Sequence, residues 1–531
     1  MKKYILLSLL SAVVVSCSFD DNIDPNKVVA EKVKPELRLS GASTTAYAVQ
    51  AGDMNKIGNA WTNSWSGNFA QFGNPYTVES DLEIYTSFNQ NMFRDSYQAI
   101  TRFQRIIDFG AEYPNYVAIA KIQKAYYMQY VVDLYGSVPY SEAFKESDNA
   151  TPKYDKDVDV YKGLADELMS ARTLIDANGS NAKFQVAAFS DPIFQGDMKK
   201  WKEFANTVLL KLAVRLSNTT NADGIALRNQ IINSLSGASF ISYDVKINPG
   251  YNGGSSAGQS PLYYNFGQES ADGSINTGGY QLMTASDHAI NMLQGSASKI
   301  TSGVSDPRIG FLFTKGTRYN NGGTPPGPLG YYGWPQGMNV EDYKVFMGYP
   351  VDAKIKPANA NFSFLGGDFA LSSDKGSAID GIIMMRSESE FLQSEAALRG
   401  YPGFGSDQGH FEAGIKASFT FDRLPGDAAA YIANISGKAK VGWTGAQNDK
   451  IAAIQYQRWV ALMNYNGIES YINYLRTGYP ETPLAKTTVK ANKPWRMLYP
   501  ATEYSNNSAN TPKVSQDQCF IKNEFTPFIY K

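Results

Sequence analysis

Cysteine is nearly missing from this chain. Its 531 residues hold two, Cys17 and Cys519, too few for a disulfide framework, so stability has to come from a packed core. Histidine is equally scarce. His288 and His410 are the only two; neither stands in an H-E-x-x-H pattern, and there is no cysteine cluster, so a zinc site is not expected, and no cofactor is expected. No sign of charge prevails: 49 Lys and Arg face 50 Asp and Glu, a formal net charge of −1. Nucleic-acid binding, which needs a basic footprint, is therefore not expected. Beyond the N-terminal stretch, no apolar run reaches the ~18 residues that a membrane-crossing helix requires.

What is present begins at the N-terminus. Met1-Lys2-Lys3 is followed by an apolar stretch, Tyr4 to Val15, too short to span a ~30 Å hydrocarbon core but right for a secretory signal peptide. Val14-Val15-Ser16-Cys17 resembles a bacterial lipobox, in which the cysteine is lipidated and becomes the first mature residue. Two or more acyl chains hold a protein stably at a membrane surface. Ser18-Phe19-Asp20-Asp21 resembles the acidic tag that sends lipoproteins of the Bacteroidetes group to the cell exterior; a plain acidic linker is the other reading. Residues 1–16 are thus expected to be a signal peptide and 17–35, with Pro25 and Pro35, a tether. Residues 36–531 would form the body.

Helical periodicity dominates that body. Phe93, Tyr97, Ile100, Phe103 and Ile107 recur at spacings of three and four, with Gly110 placed as a C-cap. Ala118, Ile122, Ala125, Gln129 and Val132 form a second stripe, which Gly136 ends and Pro139 keeps from restarting. Val158, Tyr161, Leu164, Leu168, Ala171 and Ile175 form a third. Trp201, Phe204, Val208, Leu212 and Leu216 form a fourth, with Asp197 as N-cap. MMRSESEFLQSEAALRG, ending at Gly400, and HFEAGIKASF read as later helices; Ile451 to Tyr474 reads as one long helix or two broken near Asn466-Gly467. Paired helices with short links predict stacked helical hairpins, mainly over 85–235 and 380–480.

Residues ~240–380 differ. About 17 of the 46 glycines fall between 251 and 340, and Pro325 to Pro328 spell PPGP. A turn-rich, irregular lobe with a few short strands is expected; loop zones that long are uncommon unless functional or disordered. Aromatics make up 13% of the chain, 34 of them tyrosine, and many fall in these loops. Gly254 to Gly258, GSSAG, fits the G-x-S-x-G nucleophile pattern around Ser256. That motif needs a strand before it and a helix after it, whereas both flanks here read as loop.

Several segments, in order along the chain, resemble the SusD/RagB family of nutrient-binding outer-membrane lipoproteins. Gln129 to Ala143, QYVVDLYGSVPYSEA, is similar to the family's L-x-D-x-Y-G-D-[IV]-P-Y-x-E-A, with Ser137 where Asp is usual. FQGDMKKWKEFANTVLLKLAVRLSN, MMRSESEFLQSEAALRGY, QRWVALMNYNGIESYINYLRTGYP and RMLYPATEYSNN resemble further family segments. The resemblance implies a mainly α fold: four helical-hairpin units related to tetratricopeptide repeats, wound as an α–α superhelix, with an irregular lobe beside them. It also implies a role without chemistry. The protein would capture nutrient oligomers, most often oligosaccharides and in some members peptides, and act as the lid of a SusC-like TonB-dependent β-barrel transporter. A lipid-anchored glycan or ester hydrolase and an adhesive surface protein are the other classes to weigh.

A sugar site needs flat aromatics for C–H faces and amide or charged groups for hydroxyls. In the family, ligand contacts often come from the N-terminal region and the lobe. The candidates are Trp61, Trp65, Asn68 and Tyr76, joined by Tyr251, Tyr331, Tyr332 and Trp334. Trp61, Trp65, Phe69 and Phe72 also fit the stripe of a buried helix, and the lobe aromatics fit a core equally well. Asp133, Tyr135, Pro139 and Trp201 read as scaffold.

Overall fold

A computed structural model describes residues 33–73, 75–318, 327–350, 352 and 358–531. The signal sequence, Cys17 and residues 18–32 lie outside them.

Among the described residues, seven helices of seven residues or more lead to the lobe: α1 (Pro35–Val49), α2 (Asn55–Trp61), α3 (Gln90–Ile107), α4 (Pro114–Tyr135), α5 (Asp157–Asn178), α6 (Met198–Arg215) and α7 (Ala222–Ser234). The lobe contributes α8 (Asp287–Gln294) and α9 (Val340–Phe346). After it come α10 (Arg386–Leu398), α11 (Asp407–Phe421), α12 (Ala428–Ile435), α13 (Gln447–Leu462) and α14 (Gly467–Thr477). Four consecutive pairs, α3/α4, α5/α6, α10/α11 and α13/α14, pack as helical hairpins.

The apolar stripes explain the pairing. On α3, Phe93, Ile100 and Phe103 are buried, with Tyr97 and Ile107 packed against the same core. On α4 the single expected stripe understates the burial: every residue but Lys121 is enclosed, as for a helix covered on all sides. The Asp197 carboxylate accepts hydrogen bonds from the Lys199 and Lys200 amides, capping α6. The Ile451–Tyr474 stretch is two helices, with the break at Met463–Asn466. That break lets α14 lie against α2 so closely that a Cβ on Gly58 would fall 2.0 Å from the Gly467 carbonyl carbon.

The hairpins are also joined by buried charge. Lys211 on α6 reaches Glu388 on α10 at 2.8 Å and Glu469 on α14 at 2.7 Å. Arg215, one turn on, pairs with Glu469 at 2.7 Å and with Asp133 on α4. Arg458 on α13 holds Glu388 at 2.6 Å. Every hairpin thus supplies a member. The cations hold the Glu469 carboxyl well below the usual carboxylate range, overcoming its burial.

The lobe is built from little regular structure. Its short strands pair antiparallel as β1 (Trp65–Gly67) with β3 (Met283–Ala285), β2 (Val245–Ile247) with β6 (Gly381–Met384), and β4 (Gly316–Thr317) with β5 (Leu329–Gly330). Tyrosines fasten the rest. Tyr263, Tyr280 and Tyr126 donate to the carbonyls of Leu371 (2.5 Å), Leu365 (3.0 Å) and Ile383 (2.6 Å), and Tyr47 accepts from the Ile382 amide at 2.9 Å. A ring that buries apolar area while its hydroxyl answers a loop carbonyl suits a region without ladders.

Candidate functional site

The tryptophans singled out from the sequence are enclosed. Trp61, at the end of α2, is 2% exposed; its Nε1 donates to the Glu79 carbonyl at 3.2 Å and its ring lies 4.9 Å from that of Tyr471. Trp65, on β1, is 1% exposed, donates to Asn464 Oδ1 at 2.7 Å and meets Phe266 edge-on. Trp334, at 0%, centres a small separate core with Met338, Tyr343, Tyr349 and Phe362, stacked on Tyr343 at 4.4 Å. The core reading of these three residues is therefore the one the structure supports: none offers a ring face to a ligand. Tyr251 is buried as well. Tyr76 is half-buried at a φ of +55°, and burial raises its phenol pKa above the ordinary tyrosine value.

Asn68 is buried too, but it organises a polar surface. Its Nδ2 donates to the Gln281 carbonyl at 2.7 Å and to Asn359 Oδ1 at 2.8 Å. Asn359 in turn donates to Gln71 Oε1, and Gln71 Nε2 reaches Gln281 Oε1 at 3.4 Å. Gln71 is exposed and Gln281 and Asn359 are half-buried, so three amides face solvent around one anchored amide. Phe69, half-buried, lies parallel to Trp334 at 6.4 Å. Gln71, Gln281 and Asn359 were not among the sequence candidates. Gln71 could have been noticed inside NFAQF. Gln281 and Asn359 could not, because their partners stand 210 and 288 positions away.

Tyr331 and Tyr332 are the half-buried members of the candidate set in the lobe. Lys315 Nζ lies 5.6 Å over the Tyr331 ring, and the Arg318 guanidinium 5.5 Å over that of Tyr332. Gln294 Nε2 donates to the Tyr331 carbonyl at 3.3 Å. One short segment ties both groups together. Ser363 exchanges bonds with the Tyr332 backbone at 2.8 and 2.9 Å, Asn361 donates to the Thr317 carbonyl at 2.6 Å, and Asn359 belongs to the amide group. Partial burial raises the Tyr331 phenol pKa, so the hydroxyl stays a neutral donor. Rings, amides and two cations on one lobe can cover a sugar face and answer its hydroxyls.

The nucleophile pattern has no such surroundings. Ser256 opens a short 3-10 turn, Ser256–Gly258, instead of a strand-to-helix elbow. His288 is buried against Trp459, and His410 Nδ1 is 2.8 Å from Glu390 Oε2. Among the described residues, no group of three or more His, Cys, Asp or Glu is placed to hold a metal, and no helix is long and apolar enough to cross a membrane.

Four helical hairpins beside a loop-built, aromatic lobe define the SusD-type helical scaffold. The chain belongs to the SusD-like family: the family model described as "starch-binding associating with outer membrane" matches residues 39–500. Solved structures are similar over most of their length. A chitin-binding protein superposes with a TM-score of 0.68 at 23% identity, over 90% of this chain and 95% of its own. A chitin-binding SusD homologue from Flavobacterium johnsoniae gives 0.66 at 20%, over 89% and 94%. A SusD homologue from Bacteroides thetaiotaomicron gives 0.64 at 20%, over 90% and 93%. A search of curated proteins finds no match.

Proposed function

We propose that the chain is a saccharide-capturing lipoprotein of the outer membrane. It is anchored through Cys17, faces the cell exterior, and hands nutrient oligosaccharides to a SusC-like TonB-dependent transporter that it covers as a lid. The observation that carries the binding role is the lobe surface where Tyr331 and Tyr332 stand with the amides of Gln71, Gln281 and Asn359. Family membership supports the setting, and two structures of the same fold are titled as chitin-binding. The role is binding without catalysis, which the 3-10 turn at Ser256 favours, together with the burial of His288 against Trp459 and the bond of His410 to Glu390. Oligopeptide cargo in the same role is the alternative that aromatic rings and amides would also serve.

The test is isothermal titration of the full mature chain with chito-oligosaccharides, malto-oligosaccharides and oligopeptides. Saccharide binding that weakens about tenfold in Tyr332→Ala, the ~1.4 kcal/mol a lost ring contact is worth, is expected. Binding to peptides alone would move the cargo to that class, and saccharide binding untouched by Tyr331→Ala, Tyr332→Ala and Gln71→Ala would place the site elsewhere.

A further inference from the structure

A cleft of about 820 Å³, lined by none of the tyrosines and amides of the lobe surface, is formed by the β2–β6 ribbon, residues of the 368–380 segment and the C-terminal end of α11. Its volume lies within the ~300–1,000 Å³ range of small-ligand sites. Tyr243 and Phe421, both half-buried, supply aromatic wall.

The charges in the cleft do not balance. Asp380 is answered by Lys246 at 3.3 Å and by Asn248 Nδ2 at 2.9 Å. Asp368 is answered by Arg423 and by the Tyr465 hydroxyl at 3.0 Å. Asp244 accepts from the Arg386 backbone amide at 2.9 Å, and burial raises its carboxyl pKa against the pull of the Lys246 and Arg386 charges. Two cations remain. Lys375 is exposed, and no carboxylate lies within ion-pair distance of it among the described residues. The carboxylate closest to the Arg386 guanidinium is Glu390 at 3.7 Å, and a second Glu390 oxygen is engaged by His410 at 2.8 Å. Both cations line the cleft.

We propose that this cleft is a second saccharide subsite selective for acidic sugars, in which Lys375 and Arg386 take the carboxylate of a hexuronate residue while Tyr243 and Phe421 flank its ring. The proposal rests on the saccharide reading of the lobe and adds a charge preference to it. A planar guanidinium beside a mobile ammonium suits a carboxylate, and in a partly enclosed cleft such hydrogen bonds are roughly twice as strong as neutral ones.

The experiment is titration of the full mature chain with an α-1,4-linked galacturonate trimer, its carboxyl-reduced neutral counterpart and an acidic tripeptide. The galacturonate trimer is expected to bind at least tenfold tighter than the neutral trimer. Lys375→Gln and Arg386→Gln should each remove most of that difference, and Lys375→Arg should restore it. Added salt should weaken the acidic trimer alone. Both residues are solvent-accessible, so the variants should melt as the parent does, and neutral-saccharide binding at Tyr331 and Tyr332 should persist in them. Equal affinity for the two trimers, or a preference untouched by both Gln variants, overturns the proposal; so does an acidic tripeptide that binds as well as the sugar. Failure of neutral saccharides together with loss-free galacturonate binding would instead strike the lobe reading and leave this cleft standing.

Discussion

Lys211 Nζ and Glu469 Oε1 meet at 2.7 Å in the centre of the scaffold, both side chains fully shielded from water. One comes from the second hairpin and the other from the fourth, 258 positions apart. Arg215 and Arg458 approach the same carboxylate, at 2.7 and 3.2 Å. Replacing Glu469 by Gln leaves these three cations under-compensated. Removing one partner of a buried pair typically costs ~3–5 kcal/mol. Glu469→Gln is expected to lower the stability of the whole scaffold by that order in urea unfolding. A loss below about 1 kcal/mol would mean that the network relaxes without it.

The core and the surface give opposite signatures for residues that look alike in the sequence. Trp334 is sealed between Tyr343 and Phe362, with its Nε1 bonded to the Met338 carbonyl at 2.7 Å. Trp334→Ala should cost ~3–5 kcal/mol, as large-to-small changes in cores do. Tyr332 is half-buried, and its hydroxyl reaches the Pro328 carbonyl at 3.0 Å. Tyr332→Ala should leave the melting temperature within a few degrees of the parent while weakening saccharide binding. Thermal melts beside titrations separate the two.

That contrast marks how far the sequence could be read. The helices were legible because each carries an apolar stripe of three-and-four spacing, and Asp197 and Gly136 mark their ends where capping chemistry demands. The lobe was legible as irregular from its glycines. Which of its aromatics face water was not. Trp334 and Tyr332 stand two positions apart in a segment with no period to sort inside from outside. Burial there is decided by partners such as Phe362 and Tyr343 that only the folded chain brings near. Tyrosine richness read as sugar chemistry proves in good part to be hydroxyls fastening loop carbonyls, as at Tyr263 and Tyr280.

His288 makes the fold sensitive to acid. It is buried against Trp459, neither ring nitrogen has a partner, and Lys299 and Lys493 add repulsion, so burial lowers its pKa to about 3 from an ordinary value of 6.5. Above 6.5 the imidazole is neutral in both states and adds no pH dependence. Between 6.5 and 3 the unfolded chain takes up a proton that the folded one refuses, so stability is lost as pH falls, by about 1.4 kcal/mol per unit. His288→Phe keeps an aromatic ring on Trp459 and deletes that proton. Relative to the parent it should gain about 2 kcal/mol between pH 7.5 and pH 5. A parallel pH profile for the two proteins in urea unfolding would show that His288 does not titrate in this way.

Lys493 works over a higher range. Its ammonium group is buried beside Asn63 Oδ1 at 3.2 Å and Thr482 Oγ1, over the Tyr474 ring at 4.7 Å, with no carboxylate in contact among the described residues. Burial lowers its pKa from 10.5 to about 7. The neutral amine is accepted in the core without penalty only above 10.5, where the unfolded chain is deprotonated too. As pH falls from 10.5 towards 7 the unfolded state binds the proton first, and stability is lost through that window. Lys493→Met removes the titration while filling similar space. The polar contacts it sacrifices have a cost that does not vary with pH, so the informative quantity is the change in the variant's relative stability between pH 9.5 and pH 7. The variant should gain about 2–3 kcal/mol on the parent over that interval. A constant difference across it would mean that Lys493 stays protonated in the fold, with its hydrogen bonds and the Tyr474 ring holding the charge.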